Sequence, residues 1–204
     1  MTATRSKPLL AVVLAAGKGT RMKSSKPKVL HAIGGRSMLG HVLTTAHAAG
    51  ANSIAVVVGP DMDAVALEAR RWAPDARPFV QVEQRGTADA VLAAREALAA
   101  HAGDVLVMFA DTPLIRPRTI DRLVSALDSG ADVAVLGFHA KDPTGYGRLV
   151  TDGVVADGVA NLLAVREHKD ASAAERAITF CNSGMIAFRT ADLVSVLQAI
   201  GSDN

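Results

Sequence analysis

The sequence predicts an α/β fold in which a mostly parallel sheet is flanked by helices. Three observations carry that prediction. Short apolar runs alternate along the chain with helical patterns, the sequence form of repeated β–α units. Half of the 204 residues are hydrophobic and 21% are charged, enough to bury about 70% of the unfolded chain's surface in a core. No internal repeat, low-complexity stretch or Pro-rich or Ser-rich linker interrupts the rhythm, so one domain is expected over residues 1–204.

The strands are expected at 9–15, 54–58, 79–82, 105–109, 133–138 and 185–188, each a short apolar run bounded by turn or charged residues. Between the first two, Leu39, Val42, Leu43 and Ala46 follow the i, i+3, i+4, i+7 spacing of a helix face. Ser37 is the expected N-cap, and Gly50 stands where a left-handed residue ends a helix. Ile120, Leu123, Val124 and Leu127 repeat the pattern, as do Leu193, Val196, Leu197 and Ile200 after the candidate cap Thr190. Residues 146–166 break the alternation. There Leu149-Val150 and Val154-Val155 flank Thr151-Asp152-Gly153, the signal of a hairpin added in antiparallel fashion. The chain stops three residues after Gly201 without a closing strand, which leads us to expect a piece of something longer.

The net charge of +2 hides an asymmetry. The first 60 residues hold eight Lys or Arg and no Asp or Glu, the first acid being Asp61, while the rest of the chain is net acidic. A targeting presequence would want an amphipathic helix here, but a buried-strand pattern begins at Leu9. The asymmetry instead suggests a local basic pocket for a multiply charged anion. Seven aromatic residues in the whole chain are too few for base-stacking platforms, so a small anion is expected and nucleic acid is not. No apolar stretch approaches the roughly 20 residues of a membrane span, and a soluble, cytoplasmic protein is expected. A single cysteine, Cys181, forms no internal disulfide, and the six histidines show no metal-ligand spacing with it.

The chemistry concentrates after the first strand, in Ala15-Ala16-Gly17-Lys18-Gly19-Thr20-Arg21-Met22 followed by Lys23, Lys26, Pro27 and Lys28. Glycines at 17 and 19 allow positive φ and a close backbone approach, so that N–H groups can point at phosphate oxygens. Lys18, Arg21 and Lys28 gather at the same turn, at the carboxyl end of the strand where open α/β sheets bind ligands. A P-loop would need Ser or Thr directly after Gly17-Lys18, where Gly19 stands. A dinucleotide fingerprint would need a third glycine at Met22 and an acid about 20 residues on, which the acid-free stretch does not supply.

The run 14–22 with Pro27-Lys28-Val29-Leu30-His31 resembles the signature of sugar-nucleotide pyrophosphorylases. The similarity is greatest to the N-terminal uridylyltransferase domain of bifunctional bacterial N-acetylglucosamine-1-phosphate uridyltransferase / glucosamine-1-phosphate acetyltransferases. It extends through 81–87, Phe109-Ala110-Asp111-Thr112-Pro113, Tyr146-Gly147-Arg148, Glu167 and Asn182-Ser183-Gly184, which with the first loop make six motifs in order. The resemblance implies a Rossmann-like, mostly parallel mixed sheet of the nucleotide-diphospho-sugar transferase type. It also implies transfer of a uridylyl group from UTP to N-acetylglucosamine-1-phosphate, giving UDP-N-acetylglucosamine for cell-wall and lipopolysaccharide precursors.

Residue by residue, the resemblance lays the backbone of Leu14, Ala15, Ala16 and Gly17 along the nucleotide. It puts Lys18, Arg21 and Lys28 on the phosphates as the catalytic cations. Gln81, Gly86 and Thr87 would read uracil, Phe109 and Ala110 would border the nucleotide, and Asp111 would hold Mg²⁺. Gly147, Glu167 and Asn182 would take the sugar. The attacking phosphate monoester, with a second pKa of about 6, is largely dianionic at neutral pH and needs no protein base. No Ser/His/Asp or Cys/His signature is recognisable, in keeping with that chemistry.

Two departures from the family pattern stand out. Asp89 occupies a position where the family commonly has His, bringing negative charge near the base pocket unless it faces solvent at a helix start. The family also continues past residue 204 with an Asn that is a second Mg²⁺ ligand, and then with a left-handed β-helix that carries the acetyltransferase and builds a homotrimer. Acetyltransferase activity is not expected of this chain. Other readings remain open: a sister nucleotidyltransferase acting on a different sugar or alcohol phosphate, a non-catalytic nucleotide-sugar-binding module, or a general polyanion binder, which would be strongly salt-sensitive and indifferent to the base.

Overall fold

A computed structural model of the chain describes residues 7–17, 19, 22–156, 158–189 and 193–200, with the backbone alone at 154–156. Its contacts divide into two compact units, residues 1–134 with 186–204, and residues 135–185.

The first unit is built on a parallel sheet. Strand β1 (Leu9–Leu14) is six apolar residues, all buried, the continuous pattern of a strand covered on both faces. It pairs in parallel with β4 (Ser53–Val58) on one side and β6 (Asp104–Phe109) on the other, and β5 (Arg77–Val80) extends the row beyond β4. Residues Ile186 to Arg189 add an antiparallel partner to β6. Two short strands, β2 (Ala32–Ile33) and β3 (Arg36–Ser37), form a separate pair before the first helix.

Helix α1 (Met38–Ala48) is capped as the sequence predicts: the Ser37 hydroxyl accepts from Gly40 N, and Gly50 takes φ +82° just past the end. Its residues Leu39, Val42, Leu43 and Ala46 are buried. Helix α2 (Asp63–Trp72) buries only Val65 and Ala69, too thin a stripe to announce itself in the sequence. Helices α3 (Thr87–Ala93) and α4 (Arg95–Ala99) pack Ala90, Val91, Ala94 and Leu98 with Leu10, Val12, Val105 and Val107 of the sheet. Leu193 and Leu197 join that cluster from α7 (Leu193–Gln198); the candidate cap Thr190 lies outside the described residues. Helix α5 (Pro117–Asp128) begins with proline at its first turn and buries Ile120, Leu123, Val124 and Leu127, the expected face.

The second unit contains β8 (Arg148–Ala156) and β9 (Val159–Arg166), an antiparallel pair, together with the one-turn helix α6 (Ala173–Arg176). Strand β7 (Val133–His139) leads into it and β10 (Phe180–Arg189) leads out, and the two pair with each other.

Three expectations change. The hairpin does not turn at Thr151-Asp152-Gly153. Strand β8 runs through that tripeptide and the connection follows Ala156, which pairs with Val159. Gly153 takes φ +72° within the register shift between Asp152 and Ala156, so its Asp-Gly signal marks a bulge instead. The strand expected at 79–82 begins earlier, at Arg77. Its pairing ends with Val58, the last residue of β4, and Val82 is 76% exposed. Arg77 and Pro78 obscured this start, and an edge strand tolerates both. Finally, the strand expected at 185–188 is the far half of the ten-residue β10.

Candidate functional site

The carboxyl ends of β1 and β6 place the first-loop residues. Ala15 N donates to Val57 O at 2.7 Å, and Ala110 N donates to Leu14 O at 3.0 Å, so the chain leaving β1 is held from both sides. Ala15 and Ala16 are buried, 1% and 5% exposed, which admits only small side chains there. Ala16 O also accepts from Gln84 Nε2 at 2.8 Å, tying the first loop to the segment after β5.

The two loop glycines differ. Gly19 takes φ +59°, and a Cβ built on it would lie 2.7 Å from Lys28 Cβ; its missing side chain lets Lys28 approach. Gly17 is not among the positive-φ glycines, contrary to expectation. A Cβ on Gly17 would meet nothing within 4 Å. Lys18 and Arg21, both expected on the phosphates, lie outside the described residues.

Lys28 opens a single 3-10 turn (Lys28–Leu30) after Pro27, and its Nζ donates to Asp111 Oδ2 at 2.6 Å. Asp111 follows β6 in a turn fixed by Thr112, whose N and Oγ1 both donate to Phe109 O, at 3.2 and 2.7 Å. Lys28, in the acid-free N-terminal stretch, is thus paired with a carboxylate 83 positions away. Both side chains remain about one-third exposed, 38% for Lys28 and 34% for Asp111. The donor set around Asp111 is a hard oxygen ligand beside a cationic nitrogen. Among the described residues no group of three or more His, Cys, Asp or Glu could hold a metal by itself. A single carboxylate fits a divalent cation whose remaining ligands are phosphate oxygens and water.

Gln81 follows β5, with its N donating to Val58 O at 2.8 Å. It is only 5% exposed. Its Nε2 lies 2.8 Å from Asp89 Oδ2 and 3.5 Å from Gly86 O. Gly86 takes φ +123° and Thr87 begins α3, so both sit at the helix start, where the Gly86 carbonyl borders the Gln81 amide. Ala110 is fully buried and Phe109 partly so, packed in the cluster with Leu14 and Ala16 in the case of Phe109.

Within the second unit, Gly147, Glu167 and Asn182 come together. Asn182 N donates to Gly147 O at 2.8 Å. The Glu167 carboxylate lies so close to Gly147 that a Cβ there would stand 3.1 Å from Oε1. Asn182 Oδ1 accepts from Gly184 N at 2.8 Å, which fixes the side chain's oxygen end. Beside them Arg148 is 1% exposed; it donates to the carbonyls of Tyr146 and Arg176, and its NH2 group lies 3.2 Å from His168 Nδ1. Hydrogen bonds from the Thr144 hydroxyl and backbone hold the Asp142 carboxyl below the usual range, with Arg148 and His168 adding to the effect. At α6, backbone and side-chain hydrogen bonds from Ser172, with Arg166, lower Glu175 to about 2.

Sequence reasoning gave no role to Gln84 or Arg148. Both lie inside motifs that were legible, 81–87 and 146–148, but their partners Ala16 and His168 are distant in sequence and nothing local announces them.

A family model described as the MobA-like NTP transferase domain matches residues 11–179. The bifunctional protein GlmU of Azorhizobium caulinodans is 58% identical over 196 residues, which cover 96% of this chain and 42% of the relative. The bifunctional protein GlmU of a Bradyrhizobium species is 56% identical over 204 residues, covering 100% of this chain and 44% of the relative. The chain therefore spans less than half the length of these curated relatives. A structure of UDP-glucose pyrophosphorylase complexed with UDP-glucose superposes with a TM-score of 0.79 at 16% identity, over 97% of this chain and 82% of that one. A structure of CMP:2-keto-3-deoxy-manno-octonic acid synthetase complexed with CTP gives 0.71 at 21% identity, over 96% and 80%. At these identities the likeness establishes the α/β fold.

Proposed function

This chain belongs to the MobA-like NTP transferase domain family, and from that premise we propose that it transfers the uridylyl group of UTP to N-acetylglucosamine-1-phosphate, releasing pyrophosphate and forming UDP-N-acetylglucosamine. The observation that carries the reading is the meeting of Lys28 and Asp111 at 2.6 Å beside the held backbone of Leu14 and Ala15. A cation and a metal-type carboxylate at the carboxyl ends of adjacent parallel strands suit a triphosphate. The identity with the bifunctional GlmU proteins over the full chain supports the choice of sugar and base.

In this reading an oxygen of the sugar-1-phosphate attacks the α-phosphorus of UTP in line, a bond forms from that oxygen to phosphorus, and the bond to pyrophosphate breaks. The nucleophile is already anionic near neutral pH, so the chain supplies no base. Its residues position and neutralise. The backbone of Leu14, Ala15, Ala16 and Gly17 lines the nucleotide, and Lys18, Arg21 and Lys28 balance charge on the phosphates and on departing pyrophosphate. Gln81, Gly86 and Thr87 read the base, with Phe109 and Ala110 bordering the nucleotide. Gly147, Glu167 and Asn182 hold the sugar, a carboxylate and an amide being suited to hydroxyls and an N-acetyl group. Asp111 would hold a divalent cation, Mg²⁺, which when bound supplies further charge neutralisation at the phosphates. Residence in the cytoplasm, and a homotrimer built by a C-terminal domain in the longer relatives, belong to the same proposal.

The test is direct. The chain is incubated with UTP, N-acetylglucosamine-1-phosphate and Mg²⁺, and pyrophosphate and UDP-N-acetylglucosamine are followed. Calorimetry in parallel compares UDP-N-acetylglucosamine with UDP-glucose, ADP-glucose and CTP. Product formation, or clear preference for UDP-N-acetylglucosamine, is expected. Turnover of another nucleotide and sugar phosphate in preference to this pair overturns the substrate assignment, and indifference to the nucleotide overturns the transferase reading.

A further inference from the structure

Asp89, the third residue of α3, has no part in the reaction as proposed, yet it accepts the shorter of the two hydrogen bonds from the Gln81 side chain. The Gln81 amide nitrogen Nε2 lies 2.8 Å from Asp89 Oδ2 and 3.5 Å from the Gly86 carbonyl oxygen. Both partners are acceptors: an ionised carboxylate and a backbone carbonyl have no hydrogen to give. Were the amide reversed, Gln81 Oε1 would face two oxygens, lone pair against lone pair. The two ends of a glutamine amide look alike in shape, but here the surrounding hydrogen-bond chemistry chooses between them. The N–H end is committed to Asp89 and Gly86. Among the described residues no hydrogen bond reaches Oε1, so the group that Gln81 offers a ligand is a lone pair.

We propose that Asp89 sets the base preference of this chain, by holding the Gln81 amide oxygen outward so that an accepted pyrimidine must bring a hydrogen to that point. Uracil brings one, at N3–H. Cytosine presents the lone pair of N3 at the same place and is repelled. Asp89 is a positioning residue acting through Gln81, and its role rests on the reading of Gln81 as the group that meets the base. Gln81 and Asp89 both border a cavity of about 410 Å³ shared with Val80, Leu92 and Gln198, so the pair stands at an accessible surface of the first unit. A carboxylate in the first turn of a helix also favours the helix dipole. That structural role would act on stability and would weaken all nucleotides alike.

The experiment is calorimetric titration of the 204-residue chain with UTP and with CTP, Mg²⁺ present, for the unaltered protein, Gln81→Ala and Asp89→Asn, each with its thermal unfolding midpoint. The unaltered chain is expected to prefer UTP by about tenfold or more, the cost of leaving a buried acceptor opposed rather than paired. Gln81→Ala should abolish that preference. Asp89→Asn, whose own amide can present either end to Gln81, should reduce it to within about threefold by weakening UTP and admitting CTP. If Gln81→Ala loses the preference while Asp89→Asn keeps it, the role of Asp89 is refuted and the base reading stands. If the unaltered chain has no preference, or Gln81→Ala retains it, the base reading itself fails. Should Asp89→Asn not fold, Asp89→Ala is titrated in its place: a preference reduced to within about threefold supports the role of Asp89, and an unchanged preference overturns it.

Discussion

Replacing Gly19 with alanine tests whether the first loop is shaped to bring Lys28 to Asp111. Gly19 takes φ +59°, and its added Cβ would stand 2.7 Å from Lys28 Cβ and 3.6 Å from Lys28 Cα. The left-handed conformation costs an L-residue about 1–2 kcal/mol. The overlap adds a comparable cost, because the atom struck is the root of the lysine side chain, which cannot move without its backbone. A loss of about 2–4 kcal/mol follows, and for a chain of this size that lowers the thermal midpoint on the order of 10 °C. The assay is thermal unfolding followed by circular dichroism, with turnover measured well below the midpoint. Turnover should also fall, since the relief available is to push Lys28 away from Asp111. Gly17→Ala is the control: Gly17 does not take positive φ and its Cβ would meet nothing within 4 Å. It should change stability by no more than about 0.5 kcal/mol, yet weaken UTP binding if the backbone at Gly17 approaches phosphate. A Gly19→Ala protein that unfolds within a degree of the unaltered chain would refute the reasoning.

Other expectations are separable from this one. Lys28→Ala should cost under about 1 kcal/mol of stability, because the ion pair it breaks is one-third exposed, but should reduce turnover about a hundredfold or more; equal and small effects on both would exclude a catalytic Lys28. Asp111→Asn should remove the dependence on Mg²⁺ together with activity, and an unchanged metal titration of the variant would exclude the ligand assignment. Glu175, held at about 2 in the folded chain against 4.5 ordinarily, contributes stability that is complete above about pH 4.5 and lost as pH falls toward 2. Chemical unfolding of Glu175→Gln should accordingly show a weaker pH dependence across that window, and parallel curves would contradict it. Arg148→Ala should destabilise by about 3 kcal/mol, since it empties a fully buried site and strips the Tyr146 and Arg176 carbonyls of their donor; urea unfolding reads this directly.

Much of the frame was legible because it is written in short-range terms. Six consecutive apolar residues from Leu9 to Leu14 read as a strand covered on both faces, and α1 is delimited by the hydrogen bond that the Ser37 hydroxyl accepts and by the left-handed conformation that Gly50 takes for want of a side chain. The first loop and Asp111 declared themselves as residue types suited to phosphate and metal. Where local signals misled, a tertiary partner had overruled them. Thr151-Asp152-Gly153 reads as a turn, yet pairing with Leu162 and Asn161 keeps that stretch in β8 and leaves Gly153 as a bulge. Arg77 and Pro78 read as a loop, yet parallel pairing with Ala55 and Val56 makes them the start of β5.

The sequence by itself therefore determined the alternation of strands and helices, the identity of the first loop and the set of chemically suited side chains. Which of those side chains meet was decided only by the tertiary structure. Lys28 reaches Asp111 across 83 residues and Gln84 reaches Ala16 across 68, because β1 lies between β4 and β6 and so gathers the ends of three distant segments. The orientation of the Gln81 amide depends in the same way on an acceptor placed by the first turn of α3. Periodicity and capping act over a few residues and are visible in the chain itself; the order of strands in a sheet is settled by the burial of all of them together.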